Sequence, residues 1–273
     1  MSYKKNIKIK KNYRIHYFKS YSEINVFLFK NINNFIKIFI HFITFQIIKI
    51  LNNFKNLNLF VWIHGIEGQK WTWYKFDLFL KPYWFLKHII YNTIHLYYLK
   101  NYLKKNIKNI KFIFVSKWMK KVFCRDLNLN ISKNNFKVIP NPVDNSYFRK
   151  FNRSKKIRNN ILIIKNFGSY KYAGDITIDY LIKFSKMKLF NNFKFTLIGK
   201  GPILEKSKQF IKRLNNVKII DNYISNEKLH RYHKENSIFI YLTRMDSQSV
   251  TLSEALSSGL VSISSNNTAI PEF

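Results

Sequence analysis

The chain has 273 residues, 47% of them hydrophobic and 18% aromatic, enough to bury a core in one or two domains and too aromatic for wholesale disorder. Its formal charge of +34 comes from 48 Lys and Arg against 14 Asp and Glu, a balance that ordinarily points to nucleic acid or an anionic membrane surface. The single Cys124 excludes a disulfide framework or a cysteine-rich metal site and fits a reducing compartment.

The charge is spread rather than patterned. The lysines are scattered, Arg is the scarcer cation, and Lys, Asn, Ile, Phe and Tyr abound where Ala, Gly and Pro are few. That is the imprint of AT-rich coding sequence, and Arg is the better reader of bases and phosphates. Nucleic-acid binding is therefore not expected. A generally basic surface favouring anionic lipid headgroups is.

In chain order, residues 1–11 are basic, but no apolar region follows them, so no secretory signal is read. The most apolar stretch, 34–51, is interrupted by Lys37, His41, Gln46 and Lys49. A spanning helix wants about 20 mostly apolar residues, so the expectation is a helix buried on one face, with a helix lying at an interface as the alternative. Residues 59–63, 112–115, 137–139, 161–164, 193–198, 217–220, 238–242 and 260–264 are short β-branched or aromatic runs that read as strands. Such continuous apolar runs suit a parallel sheet covered on both faces. Between them, 117–127, 175–190, 203–214, 226–236 and 250–258 carry helical periodicity. Ser116, Ser225 and Ser249 stand at N-cap positions, and Gly259 lies just past a helix end. The alternation predicts the α/β class with doubly wound sheets. The domain junction is placed at Pro140-Asn141-Pro142 and the polar stretch to Asn160, giving domains 1–148 and 149–273.

Four segments carry candidate chemistry. Residues 61–67, Val-Trp-Ile-His-Gly-Ile-Glu, end a strand on His64, whose neutral imidazole can hydrogen-bond a hydroxyl or face developing positive charge. Residues 165–175, Lys-Asn-Phe-Gly-Ser-Tyr-Lys-Tyr-Ala-Gly-Asp, set Lys165 and Lys171 in a loop after a strand. Residues 197–202, Leu-Ile-Gly-Lys-Gly-Pro, place Gly199 and Gly201 at a strand-to-helix turn, where glycine lets the backbone approach a ligand. In 241–261, Asp246 lies in a loop and Glu254 falls in the second turn of the next helix. That helix begins with the free N–H groups of Ser249, Val250 and Thr251 and a partial positive charge, a ready anion site. His230 and His233 lie three apart on a Lys- and Glu-bearing helix without further ligands. They are read as surface residues, and no metal site is expected.

These segments, with Val-Ser-Lys-Trp-Met at 115–119 and Val-Ile-Pro-Asn-Pro-Val-Asp at 138–144, resemble the motifs of family 4 glycosyltransferases. The resemblance runs over roughly 59–273 and is most specific from Ile161. It implies the GT-B fold, two Rossmann-like domains facing each other. It also implies a retaining enzyme that moves a sugar from a nucleotide-sugar donor to a saccharide or lipid-linked acceptor, in surface polysaccharide or glycolipid synthesis. No cofactor and no obligate metal are expected. The catalytic roles carried over fall on His64, Lys165, Lys171 and Asp246, the last as a contact to a donor-sugar hydroxyl. Donor binding falls on Gly199, Gly201, Ser249, Val250, Thr251 and Glu254, the last through the ribose hydroxyls. The chemistry is direct: breaking a sugar–phosphate bond pushes negative charge onto the leaving diphosphate, and fixed cations stabilise that charge most in the transition state.

Three positions depart from the family pattern. Lys165 stands where Arg is usual and lacks its bidentate fork. Asp246 stands where Glu is usual, one methylene shorter, and Ser249 where Gly is common. Both ends read as shortened, leaving an incomplete N-terminal domain and a C-terminal domain without its last elements. The alternatives are an inactive remnant that at most binds nucleotide, and a basic peripheral membrane or nucleic-acid binder. A cytoplasmic location, with association at the inner face of the membrane, accompanies either reading of the charge.

Overall fold

A computed structural model describes residues 7–10, 13–222 and 224–273. It opens with an antiparallel hairpin, β1 (Ile7–Lys10) against β2 (Tyr13–His16), and a helix, α1 (Tyr21–Asn31), whose N-cap Ser20 accepts from the Glu23 N–H. Two parallel sheets follow.

The first sheet has the order β3 (Ile38–His41), β4 (Leu59–Ile63), β5 (Ile110–Phe114), β6 (Phe136–Val138). Its core joins Val61, Phe112 and Phe114 to Ile48 of α2 (Phe45–Leu51), Leu99 of α3 (Pro82–Asn106) and Phe123 of α4 (Lys117–Leu127). The stretch 34–51, read as one helix, is instead β3, a turn and α2. Phe42 takes a positive φ of 56°, which ends regular backbone on either side, and the Thr44 hydroxyl caps α2 by accepting from the Ile47 N–H. Ile38 and Ile40 suit both periodicities; a free edge beside β4 settles it, with Ile38 opposite Leu59 and His41 opposite Trp62.

The second sheet has the order β11 (Val261–Ser264), β10 (Ile238–Tyr241), β7 (Asn160–Ile164), β8 (Lys194–Ile198), β9 (Val217–Ile220), every pair parallel. Its helices are α5 (Gly174–Phe184), α6 (Pro202–Lys212), α7 (Asn226–Glu235) and α8 (Val250–Ser257). α5 stops well short of Phe190, which is buried in a separate 3₁₀ turn, Lys188–Asn192. The strand order reverses between β7 and β10. Open α/β sheets bind ligands beyond the carboxyl ends of strands at such a switch point, so the loops after β7 and β10 are where a site is expected. Phe148, on the approach to this sheet, is sealed in its core.

His233 corrects the reading of surface histidines. It is fully buried, packed 5.0 Å from the Phe148 ring, and neither ring nitrogen has a protein partner. Burial pushes its pKa down to about 4, with the charges of Arg153 and His230 acting in the same direction. The unfolded chain therefore takes up a proton below its ordinary value near 6.5 that the fold refuses. The linked stability is fully present above that pH and is lost as pH falls toward 4, by roughly 3 kcal/mol. The His233→Phe variant is expected to flatten this acid limb in denaturant unfolding measured from pH 7 to 4. An unchanged slope would show that other groups carry it.

Candidate active site

The loops after β7 and β10 face the loop after β4 across an interdomain cleft. Two cavities open there. The first, about 610 Å³, lies between the domains and is lined by His64, Glu67 and Asp77 on one side and Lys171, Asp246 and Gln248 on the other. The second, about 620 Å³, lies within the second domain and is lined by Lys165, Gly199, Tyr241, Ser249, Val250 and Thr251. Asn166, Tyr172, Asp246 and Gln248 line both. The cavities therefore meet at Asp246.

The loop after β7 is pinned to the turn after β8 by backbone bonds, from Lys165 N–H to Ile198 O at 2.8 Å and from Phe167 N–H to Lys200 O at 3.2 Å. This close approach explains the glycines. A Cβ at Gly199 would lie 1.9 Å from Lys165 O, and one at Gly201 2.2 Å from the Phe167 carbonyl carbon. Gly199 also lines the second cavity, whereas Gly201 lines neither, so its requirement here is backbone packing rather than ligand contact.

Lys165 is 5% exposed. Its ammonium donates to Leu242 O and sits 4.1 Å from the Tyr241 ring centroid. Burial lowers its pKa to about 8, opposed by the charge of Asp246. A buried cation held by one carbonyl and a ring face is undercompensated, and an anion entering the second cavity would complete it. Lys171 packs its ammonium over Tyr172 at 4.9 Å and Tyr74 at 5.1 Å. Burial lowers its pKa, while the carboxylates of Asp246, Asp77 and Glu67 pull it back up.

Asp246 is oriented by its neighbours: Oδ2 accepts from the Tyr241 hydroxyl at 2.5 Å, and Oδ1 from the Gln248 N–H at 3.1 Å. Ser249 caps α8, its hydroxyl accepting from the Leu252 N–H at 3.1 Å. Among the described residues no protein acceptor takes the N–H of Val250 or Thr251, and both residues line the second cavity. Glu254 lies three and four residues further, on the same helix face. It lines neither cavity, is 8% exposed, and its carboxylate has no protein partner among the described residues. Burial raises its pKa to about 7.

On the other wall, the Glu67 carboxylate accepts from His64 N–H at 2.5 Å and Gly65 N–H at 3.0 Å, fixing the turn that presents the imidazole. His64 Nε2 lies 3.0 Å from His41 Nδ1, and the two rings stack. Burial, and then the charge of His41, lower the His64 pKa, so its neutral form is the one that faces the cavity.

Several supporting residues were not found by sequence reasoning. Asp77, buried, accepts from the Ser169 hydroxyl at 2.6 Å and the Tyr170 N–H at 2.7 Å, so the first domain holds the lysine loop of the second. Arg244 makes a two-pronged pair with Asp175 at 2.6 and 2.7 Å and donates to Tyr170 O. The Gln248 amide exchanges two bonds with the Asn141 backbone, and Glu272 accepts from the N–H groups of Lys117 and Trp118 at the start of α4. No cluster of three or more His, Cys, Asp or Glu able to hold a metal occurs among the described residues.

Two facing parallel α/β domains with a ligand cleft between them define the GT-B architecture. Solved structures share it at low identity. A trehalose-6-phosphate protein from E. coli, bound with UDP-2-fluoro glucose, matches at 11% identity and a TM-score of 0.64, over 92% of this chain and 64% of that one. Sucrose-phosphate synthase from Thermosynechococcus elongatus matches at 12% and 0.65, over 97% and 68%. An α,α-trehalose-phosphate synthase (UDP-forming) from Burkholderia xenovorans, in complex with glucose-6-phosphate, matches at 10% and 0.62, over 94% and 67%. The chain thus spans about 64% of the length of the first of these. Residues 144–273 match the family model for glycosyl transferases group 1. No curated protein matches the chain in sequence.

Proposed function

We propose that the chain transfers a sugar from a nucleotide-sugar donor to a hydroxyl of a saccharide or lipid-linked acceptor, with retention of anomeric configuration. The observation that carries this is the meeting of two cavities at Asp246, with the buried Lys165 on one and the half-buried Lys171 on the other. The second cavity takes the nucleoside diphosphate: the N–H groups of Val250 and Thr251 and the Lys165 ammonium face its phosphates. The donor sugar lies at the shared rim, against Asp246, with His64 opposite. As the sugar–phosphate bond breaks, its electron pair goes to the phosphate oxygen, and Lys165 and Lys171 stabilise the charge that develops. The acceptor hydroxyl enters from the first cavity, on the leaving-group face, and as its oxygen bonds the anomeric carbon its proton passes to the departing phosphate oxygen. We also propose that the basic surface brings the protein to the inner face of an anionic membrane, in surface polysaccharide or glycolipid synthesis, with neither cofactor nor obligate metal required.

Isothermal titration with nucleoside diphosphates, followed by turnover of labelled donors, tests this reading. Nucleotide binding with sugar transfer is expected; binding without turnover of any donor would leave a nucleotide-binding remnant, and no binding would end the proposal. The pH dependence offers a sharper check. Lys165 must be cationic to meet the diphosphate, and its pKa lies at about 8. kcat/KM is therefore expected to fall above that pH by about tenfold per unit. Bound donor raises this pKa, so the kcat profile should fall later. A kcat/KM profile flat to pH 10 would remove Lys165 from the mechanism.

A further inference from the structure

α3 is apolar on both sides. Its inner face buries Phe85, Leu96, Leu99 and Leu103 against the first domain. Its outer face continues from the preceding turn as a stripe, Phe79, Tyr83, Leu86, Ile90, Ile94 and Tyr97, at helical spacings of three and four. All six are exposed, Phe79 at 91% and Tyr83 at 71%. The inner face also buries His88, Asn92 and His95, so the exposed side is the more uniformly apolar one, and no protein segment among the described residues covers it.

The charge around the stripe has one sign. No Asp or Glu occurs between Asp77 and Asp126, while Lys81, Lys87, Lys104 and Lys105 are exposed along the same element. Lys87 holds its ammonium 4.4 Å from the Tyr83 ring centroid, a cation–π contact that sets a positive charge on the stripe itself. No helix of the described residues is long and apolar enough to cross a membrane. An aromatic and aliphatic face bordered only by lysines is instead the chemistry of a helix lying in a bilayer interface, rings at headgroup depth and ammonium groups on lipid phosphates. The helix itself begins at the site, because its N-cap residue Lys81 and Trp84 line the first cavity.

We infer that the outer face of α3 lies on an anionic lipid bilayer and holds the mouth of the first cavity at the headgroup layer. This gives the proposed membrane association a defined surface, and what docking serves rests on the acceptor reading of that cavity. Each lysine near an anionic leaflet adds about fivefold to partitioning, and the apolar stripe adds insertion, which salt does not screen.

Co-sedimentation of the full chain with phosphatidylcholine vesicles, with and without phosphatidylglycerol, tests the surface without donor or acceptor present. Binding to the anionic vesicles at least about tenfold stronger than to the neutral ones is expected. The Leu86→Ser/Ile90→Ser variant should lose about tenfold or more and Lys87→Gln/Lys104→Gln/Lys105→Gln a similar factor. Both should keep the circular dichroism and nucleoside-diphosphate affinity of the parent. Three results overturn the inference: no vesicle binding; binding that the lysine variant weakens and the apolar variant leaves intact; or a concentration-dependent dimer dissolved by the apolar variant, which would assign the face to a second copy. Transfer to a soluble acceptor, measured separately, distinguishes a failed surface from a failed enzymatic reading.

Discussion

Replacing Glu254 by alanine is expected to abolish measurable nucleotide-sugar binding, a loss of about 100-fold or more, since hydrogen bonds to charged groups contribute about 1.5–3 kcal/mol each. The carboxylate is 8% exposed and without a protein partner among the described residues, so it holds no visible part of the fold together. It lies one turn inside α8, on the same helix face as Val250 and Thr251. Those two line the second cavity and Glu254 does not, so its ribose role rests on the motif resemblance. A buried acid raised to about 7 by desolvation lowers stability where it stays charged, and removing it should leave the folded state as stable or more so. Binding loss and stability thus separate: titration with nucleoside diphosphate reports the first, thermal unfolding the second. Affinity retained within a few-fold would defeat the ribose assignment. A variant that merely unfolds would show Glu254 to be structural.

The Lys171→Ala variant should lower turnover by about 10²–10³ while changing nucleoside-diphosphate affinity by less than about tenfold. The reasoning is geometric. The loop carrying Lys171 is held by Asp77, by Arg244 and by backbone bonds from Arg244 and Met245 N–H to Lys171 O, none of which needs the side chain. Lys171 lines the first cavity, beside the rim at Asp246 where the donor sugar is proposed to lie, whereas Lys165 lines the second. Charge at that position matters most when the bond to the diphosphate is breaking. Equal losses in turnover and affinity would place Lys171 in ground-state binding instead. A retained turnover would remove it from the chemistry altogether.

The legibility of this protein varies with how local the deciding forces are. α4 has the bounds its periodicity gives, because Ser116 caps its start and Asn128, in the left-handed region at φ 49°, ends it. β4 and β9 likewise match their apolar runs. α3 escaped altogether: its exposed side carries Tyr, Trp, Ile and Leu while its buried side carries His88, Asn92 and His95, so polarity runs against the pattern that marks a buried face. β3 was hidden in a run where alternation and helical spacing fit equally well, and the neighbouring strand decided. At the site, motif spacing found the residues on the loops after β4, β7 and β10, but not the acid that joins them. Asp77 bonds to residues 92 and 93 positions away, a relation that only the packed domains create. Gly201 shows the reverse case. A ligand-loop glycine in the motif, it answers to the backbone of Phe167 and stands outside both cavities.

At Gly65 the two domains come as near as atoms allow, since a Cβ there would lie 2.6 Å from the Ser247 hydroxyl oxygen. What this residue contributes is a length. One added carbon would act as a shim against the Ser247 hydroxyl, which would have to swing away from the wall it now touches. In the proposed reaction, where a misplacement of about 1 Å can slow a positioned step by about 10²-fold, the missing side chain of Gly65, a residue lining the first cavity, lets the two walls of that cavity come this close.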